Sequence, residues 1–122
     1  MSEKVKILYV DDEPINLEVF HMLFMKKFNV LIAKSGREGL NLIKQENDIN
    51  LVISDMKMPV MNGLEFINLA RAQDPNVIFY ILTGFDITEE IERALQQNII
   101  AKYFCKPFDA DEIERAIKNS LS

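Results

Sequence analysis

The stretch LVISDMKMPVMNG, residues 51–63, begins as an apolar strand and ends at a carboxylate. Residues 51–54 are apolar or small, Asp55 follows them directly, and Pro59 and Gly63 come soon after. A carboxylate at the end of a buried strand is costly unless a partner compensates its charge. The position of Asp55 therefore indicates a strand that leaves the core at a site containing other charged groups.

Similar apolar segments recur along the chain, and a helical pattern follows each of them. The other four are VKILYV (residues 5–10), NVLIA (29–33), NVIFYIL (76–82) and KYFC (102–105). Strands that are apolar throughout are typical of a parallel sheet covered on both faces. Five such strands alternating with five helices predict a doubly wound (βα)5 domain of the α/β class, with right-handed crossovers.

Polar residues mark where the helices begin. Pro14 suits the first turn of the first helix, where its missing N–H costs nothing. Three residue pairs have capping-box spacing and predict the starts of the second, fourth and fifth helices: Ser35 with Glu38, Asp86 with Glu89, and Asp109 with Glu112. The third helix follows Gly63 without an obvious cap.

Composition limits the classes of function. The 122 residues are enough for one domain, 1–122, and a net charge of −5 argues against a nucleic-acid-binding surface. No apolar run has the length of a membrane span, and the N-terminus lacks the apolar core of a signal peptide. With only Cys105, the chain cannot form an internal disulfide, so a reducing, cytoplasmic setting is expected.

Single residues outside the strand ends are interpreted as structural. Cys105 is expected to be a small buried hydrophobe, and His21 a packing or surface residue. Phe20, Phe24 and Phe28 recur at four-residue spacing, which indicates the core-facing side of the first helix.

Four of the five predicted strands end in chemically active side chains. These are Asp11 and Asp12 after the first strand, Asp55 after the third, Thr83 after the fourth and Lys106 after the fifth. All carboxyl ends of a parallel sheet lie along one edge, where open α/β sheets bind ligands. Clustered carboxylates call for a hard cation such as Mg²⁺, and the lysine and hydroxyl can bind a second anionic group. The set predicts phosphoryl transfer with an aspartate as the nucleophile.

These residues resemble the receiver domain of two-component response regulators. The resemblance rests on VDDEP after the first strand, SDMKMPVMNG at the third, LTG at the fourth and KPF at the fifth, all in order and at fitting spacing. It covers the chain from about Lys4 to Leu121 and implies a flavodoxin-like fold with strand order 2-1-3-4-5.

The resemblance also implies individual roles. Asp55 is expected to be the phosphoacceptor, and Asp12 a direct Mg²⁺ ligand, with Asp11 acting mainly through a metal-bound water. The main-chain carbonyl of Lys57 is expected to complete the metal shell. Further expectations are a switch pair of Thr83 and Tyr103, and an ion-pairing Lys106 followed by a cis peptide bond to Pro107.

The implied function is a signalling switch. A histidine kinase or phosphotransfer protein would donate the phosphoryl group, and the domain itself would catalyse the transfer and a slow autodephosphorylation. The side chains of Lys57 and Phe85 are expected to overhang the phosphoryl group and to tune its lifetime. The output face would consist of the fourth helix, fifth strand and fifth helix, and could bind an effector domain, a target protein or a second copy as a homodimer.

Other interpretations stay open at this point. A flavodoxin-like electron carrier would need a phosphate loop after the first strand, where VDDEPIN offers carboxylates instead. A haloacid-dehalogenase-type hydrolase would need an acid where Lys57 stands. A degenerate, docking-only receiver is disfavoured because the acidic, hydroxyl and lysine positions are all intact. The chain could be a complete single-domain regulator or the front of a longer protein.

Overall fold

The computed structural model describes residues 4–84 and 87–122, which form one parallel sheet with helices on both faces. The elements are β1 (Lys6–Val10), α1 (Pro14–Phe24), β2 (Asn29–Ala33), α2 (Gly36–Gln45), β3 (Leu51–Asp55), α3 (Gly63–Gln73), β4 (Ile78–Thr83), α4 (Glu89–Gln96), β5 (Lys102–Cys105) and α5 (Ala110–Leu121). The strand order is β2-β1-β3-β4-β5, and all four pairings are parallel. The predicted fold class and strand order are confirmed.

Two separate cores cover the two faces of the sheet. On one face, α1 and α5 pack against alternate strand residues such as Ile7 and Ile53. On the other face, α2, α3 and α4 pack against residues such as Leu8 and Val52. The central strands β1 and β3 are therefore almost wholly buried, because side chains on both faces of the sheet pack against helices. This burial fixes the strand ends that carry the polar residues.

The helix starts agree with the sequence in part. The hydroxyl of Ser35 accepts a hydrogen bond from the Glu38 N–H, although the Glu38 carboxylate turns back to Lys34. Asp109 caps α5 by accepting from the Asp111 and Glu112 N–H groups, as predicted. Pro14 occupies the first turn of α1, also as predicted.

Two helix starts differ from the predictions. Thr88 caps α4 by accepting from the Ile91 N–H, so the predicted cap at Asp86 is wrong in position; Asp86 itself lies outside the described residues. The start of α3 carries a full capping box between Asn62 and Glu65, with both hydrogen bonds at 2.9 Å. The Asn-x-x-Glu spacing was a readable signal for it.

The helix α4 is anchored by few residues. It is eight residues long, and it buries Ile91 and Ala94 against the sheet. Three acidic residues lie in its first turn, where they interact favourably with the helix dipole. It is also the shortest of the five helices that the structure describes.

Predictions for single residues had mixed outcomes. Phe20, Phe24 and Phe28 are buried, as expected, and His21 lies on the surface. The prediction of a buried Cys105 is wrong: its side chain is exposed, because Cys105 is the last residue of β5, an edge strand with a neighbouring strand on one side only. No helix within the described ranges is both long and apolar enough to cross a membrane.

Candidate functional site

The polar strand ends meet at one edge of the sheet, as the parallel topology requires. Asp11 and Asp12 follow β1, Asp55 ends β3, and each offers a carboxylate oxygen within 4.8 Å of those of the other two. Asp11 and Asp55 are buried, whereas Asp12 is half-exposed. Three hard oxygen ligands at this spacing fit a small divalent cation such as Mg²⁺.

Asp55 is buried and forms an ion pair with Lys106. Its Oδ1 lies 3.1 Å from Lys106 Nζ, and the residue is 6% exposed. Burial raises the pKa of Asp55 above its ordinary value, the neighbouring charge of Asp11 raises it further, and the Lys106 ammonium opposes both. The balance leaves the ionised form of Asp55 destabilised, so a cation at the cluster would favour it.

Asp11 is held by several hydrogen-bond donors. Its Oδ2 accepts from the Tyr9 hydroxyl at 2.5 Å and from Asn16 Nδ2 at 3.2 Å, and its Oδ1 accepts from the Glu13 N–H at 3.0 Å. Lys106 Nζ lies 3.6 Å from the same Oδ2. Burial raises the pKa of Tyr9, with the bond to Asp11 adding to the effect, so its hydroxyl stays protonated as a donor.

Tyr9 and Asn16 were not identified from the sequence. Tyr9 precedes Asp11 by two residues in the strand direction, so both side chains point to the same face. A tyrosine among the apolar residues 7–10 was the one available signal, because a buried phenol needs a hydrogen-bond partner.

A loop of unusual backbone joins β3 to α3 beneath the carboxylates. The Gly63 N–H donates to the Met56 carbonyl at 2.8 Å, and a Cβ on Gly63 would clash with the Asp55 carbonyl oxygen. Only glycine permits this approach, which packs the start of α3 against the end of β3. Val60, in the same loop, has φ 70° and a fully exposed side chain.

The remaining predicted residues surround an open cavity of about 500 Å³. It is lined by Asp55, Met56, Lys57, Met58, Asn62, Thr83, Gly84, Thr88 and Lys106. Thr83 is buried at the end of β4, whereas the side chain of Lys57 is exposed. The peptide bond between Lys106 and Pro107 is cis, as expected.

The other two predicted residues are Tyr103, which does not line this cavity, and Phe85, which the structure does not describe. Tyr103 is half-buried on β5 and packs against the core beneath α4, one strand away from Thr83. Phe85, assigned a role in tuning the lifetime, lies outside the described residues.

Proteins of known sequence resemble the chain along its whole length. It is 32% identical over 117 residues to sporulation initiation phosphotransferase F of Bacillus subtilis, which covers 95% of this chain and 93% of that protein. It is also 32% identical over 123 residues to the transcriptional regulatory protein GlrR of Escherichia coli, covering 99% of this chain and 27% of that protein. The chain thus spans nearly all of the first relative and about a quarter of the second.

Solved structures agree with this result. A response regulator receiver domain protein from Clostridium thermocellum superimposes with a TM-score of 0.89 at 32% identity, over 96% of this chain and 94% of that one. Residues 7–118 match the model of the response regulator receiver domain. With its strand order, its edge of carboxylates and these matches, the chain belongs to the response regulator receiver domains of two-component systems.

Proposed function

We propose that this receiver domain accepts a phosphoryl group on Asp55 from the phosphohistidine of a histidine kinase or phosphotransfer protein, in a reaction that requires Mg²⁺. The observation that carries the proposal is the place of Asp55 at the end of a buried strand, facing an open cavity beside two other carboxylates and the Lys106 ammonium. A nucleophile needs this combination of rigidity and access.

The transfer itself needs little covalent chemistry from the protein. An oxygen of Asp55 attacks phosphorus, the P–N bond to the donor imidazole breaks, and its electron pair returns to the imidazole nitrogen. An acyl phosphate remains on Asp55. Lys106, 3.1 Å from Oδ1 of Asp55, is positioned to pair with a phosphoryl oxygen and so to orient the product.

The acidic cluster is proposed as the Mg²⁺ site. Asp12 and Asp55 would bind the ion directly together with the main-chain carbonyl of Lys57, and Asp11 would bind through a water. Bound Mg²⁺ supplies charge neutralisation for the phosphoryl oxygens. Asp12 is half-exposed, in keeping with a direct ligand that an incoming hydrated ion can reach.

Signalling is proposed to pass from Thr83 to Tyr103. The Thr83 hydroxyl would bond a phosphoryl oxygen, and Tyr103 would rotate inward to present a changed face of α4, β5 and α5. Tyr103 is half-buried and packs against the core beneath α4, at the face that this rotation would alter. An effector domain, a target protein or a second copy of the chain would recognise this face.

Phosphorylation by a small donor tests the assignment of the nucleophile. Incubation with acetyl phosphate and Mg²⁺ should add one phosphoryl group to the parent and none to Asp55→Asn, as measured by intact mass. Asp111→Asn removes an exposed carboxylate from α5 and should be modified like the parent. An undiminished base-labile adduct on Asp55→Asn would show that another residue is the acceptor.

A further inference from the structure

We propose that Tyr9 is a positioning residue of the metal site, whose hydroxyl fixes the carboxylate of Asp11 and thereby sets the affinity for Mg²⁺. The inference rests on the proposed function, because it assumes that the acidic cluster binds this ion. It assigns a role to a residue of β1 that contacts neither the ion nor the phosphoryl group.

The hydrogen bonds around Asp11 leave its carboxylate one orientation. Oδ2 receives the Tyr9 hydroxyl at 2.5 Å and the Asn16 amide at 3.2 Å, while Oδ1 receives the Glu13 N–H at 3.0 Å. Rotation of the carboxylate would break at least two of these bonds in a site that is wholly buried. With Oδ2 engaged by two donors, Asp11 is suited to accept from a metal-bound water and not to enter the inner shell.

Tyr9 is itself held rigidly. Its side chain is 1% exposed, and its ring stacks on that of Phe20 with centroids 4.1 Å apart and planes 10° from parallel. Phe20 is fully buried and packs in turn against Phe24 at 4.6 Å. The core between α1 and the sheet therefore fixes the Tyr9 hydroxyl, and the hydrogen bond from this hydroxyl restrains the Asp11 carboxylate.

A second buried tyrosine shows that the role comes from position and not from residue type. Tyr80 lies on the same face of the sheet and is also fully buried. Its hydroxyl donates to the Ala116 carbonyl at 2.8 Å and pairs with the Ser120 hydroxyl, both on α5 and away from the carboxylates. Each tyrosine satisfies its hydroxyl, but of the two only Tyr9 reaches a carboxylate of the cluster.

Groups that orient the ligands of a metal site affect metal affinity, because they reduce the ordering needed on binding; here the oriented group is Asp11, which would reach the ion through a water. Without the Tyr9 hydroxyl, the Asp11 carboxylate would have to be ordered by the ion itself. Tyr9→Phe keeps the ring and its stacking on Phe20, so it removes the hydrogen bond and little else.

The test is the Mg²⁺ affinity of the unphosphorylated protein, measured by titration with NMR or calorimetry. We expect Tyr9→Phe to bind Mg²⁺ about tenfold more weakly than the parent. Tyr80→Phe, which loses an equally buried hydroxyl, should stay within about twofold of the parent. Parent-like affinity in Tyr9→Phe, or an equal loss in Tyr80→Phe, would overturn the inference.

A double-mutant cycle tests whether Tyr9 acts through Asp11. On an Asp11→Asn background, adding Tyr9→Phe should change the Mg²⁺ affinity by less than about twofold. A further loss of about tenfold there would overturn the inference. Should Tyr9→Phe fail to fold, Asn16→Ala removes the other donor to Oδ2, and unchanged affinity in that variant would count against the proposal equally.

Failure of this inference is distinguishable from failure of the proposed function. A parent protein that binds Mg²⁺, with Tyr9→Phe binding equally well, overturns the role of Tyr9 alone. A parent protein that does not bind Mg²⁺ overturns the proposed metal site and this inference with it.

Discussion

Replacing Asp55 with asparagine should make the metal-free protein more stable. Asp55 is buried beside Asp11, and burial and that charge together outweigh Lys106 at 3.1 Å, so the pKa of Asp55 is raised. A raised carboxyl pKa means that the ionised form destabilises the folded state relative to the unfolded chain. An asparagine side chain would keep the shape without the charge, and Lys106 would keep Asp11 as a partner at 3.6 Å.

The size of the gain follows from how far the buried charge is compensated. Single stabilising substitutions commonly contribute about 0.5–2 kcal/mol. Because Lys106 keeps Asp11 as a partner, the substitution leaves no unpaired buried cation, and we expect a gain of about 1–2 kcal/mol at pH 7. For a chain of this length that is a rise in melting temperature of about 4–8 °C.

The pH dependence has a definite sign. The folded state binds the proton of Asp55 more tightly than the unfolded chain does, so the cost of the charge is absent below the unfolded pKa. The cost grows as the pH rises from the unfolded pKa to the raised one, and it is complete above the raised pKa. The advantage of Asp55→Asn should therefore disappear in acid.

Urea unfolding in the presence of EDTA measures the effect. Parent and Asp55→Asn should differ at pH 7 and converge near about pH 3, while Glu18→Gln, which removes an exposed charge on α1, should stay within about 0.5 kcal/mol of the parent. Saturating Mg²⁺ should stabilise the parent more than the variant and so reduce the difference. A variant less stable than the parent at pH 7 without metal would refute the reasoning, because it would mean that the ion pair with Lys106 outweighs burial and repulsion.

Three further outcomes are expected. Thr83→Ala should accept a phosphoryl group at Asp55 at a normal yield, but phosphorylation should cause smaller NMR chemical-shift changes around Tyr103 than in the parent. Changes as large as in the parent would show that Thr83 does not couple the site to that face. Phe85→Ala should release phosphate roughly tenfold faster after donor removal, equivalent to ~1.4 kcal/mol in the barrier, and Lys57→Ala should also decay faster. If the phosphorylated forms of both variants decay at the parent rate, these side chains do not overhang the phosphoryl group. Val60→Asn should raise the free energy of unfolding by about 1 kcal/mol, because asparagine tolerates the left-handed backbone at φ 70° better than a β-branched residue, and an unchanged urea midpoint would show that the turn is not strained.

The sequence predicts the sheet well because parallel strands carry a strong local signal. The strands β1 and β3 are apolar for most of their length, and a carboxylate comes at the end of each, at the point where the strand leaves the core. Since parallel strands share one carboxyl edge, the meeting of Asp11, Asp55 and Lys106 followed from topology alone. No distance had to be known to predict this cluster.

The details that depend on side-chain direction were not predictable in the same way. Whether the Tyr9 hydroxyl reaches Asp11 depends on how its ring lies against Phe20, which no sequence spacing reports. Cys105 was misjudged because apolar character predicts burial on average, whereas the last residue of an edge strand has a neighbouring strand on one side only. At α4, Thr88 and Asp86 both have the chemistry of a cap, and the choice between them rests on where the preceding loop ends.

The weak anchoring of α4 has a consequence for the energy landscape of the domain. An eight-residue helix does not persist alone in water, so α4 exists as a helix only while Ile91 and Ala94 stay docked. Its amides should therefore exchange with solvent through local opening, well below the free energy of global unfolding, while those of β1 and β3 should exchange only when the whole domain unfolds. The carboxylates are thus mounted on strands that open only with the whole domain, whereas the face beside Tyr103 includes a helix expected to open locally. If Thr83 couples the two as proposed, a small free-energy change at the carboxylates would be enough to redistribute the conformations of α4.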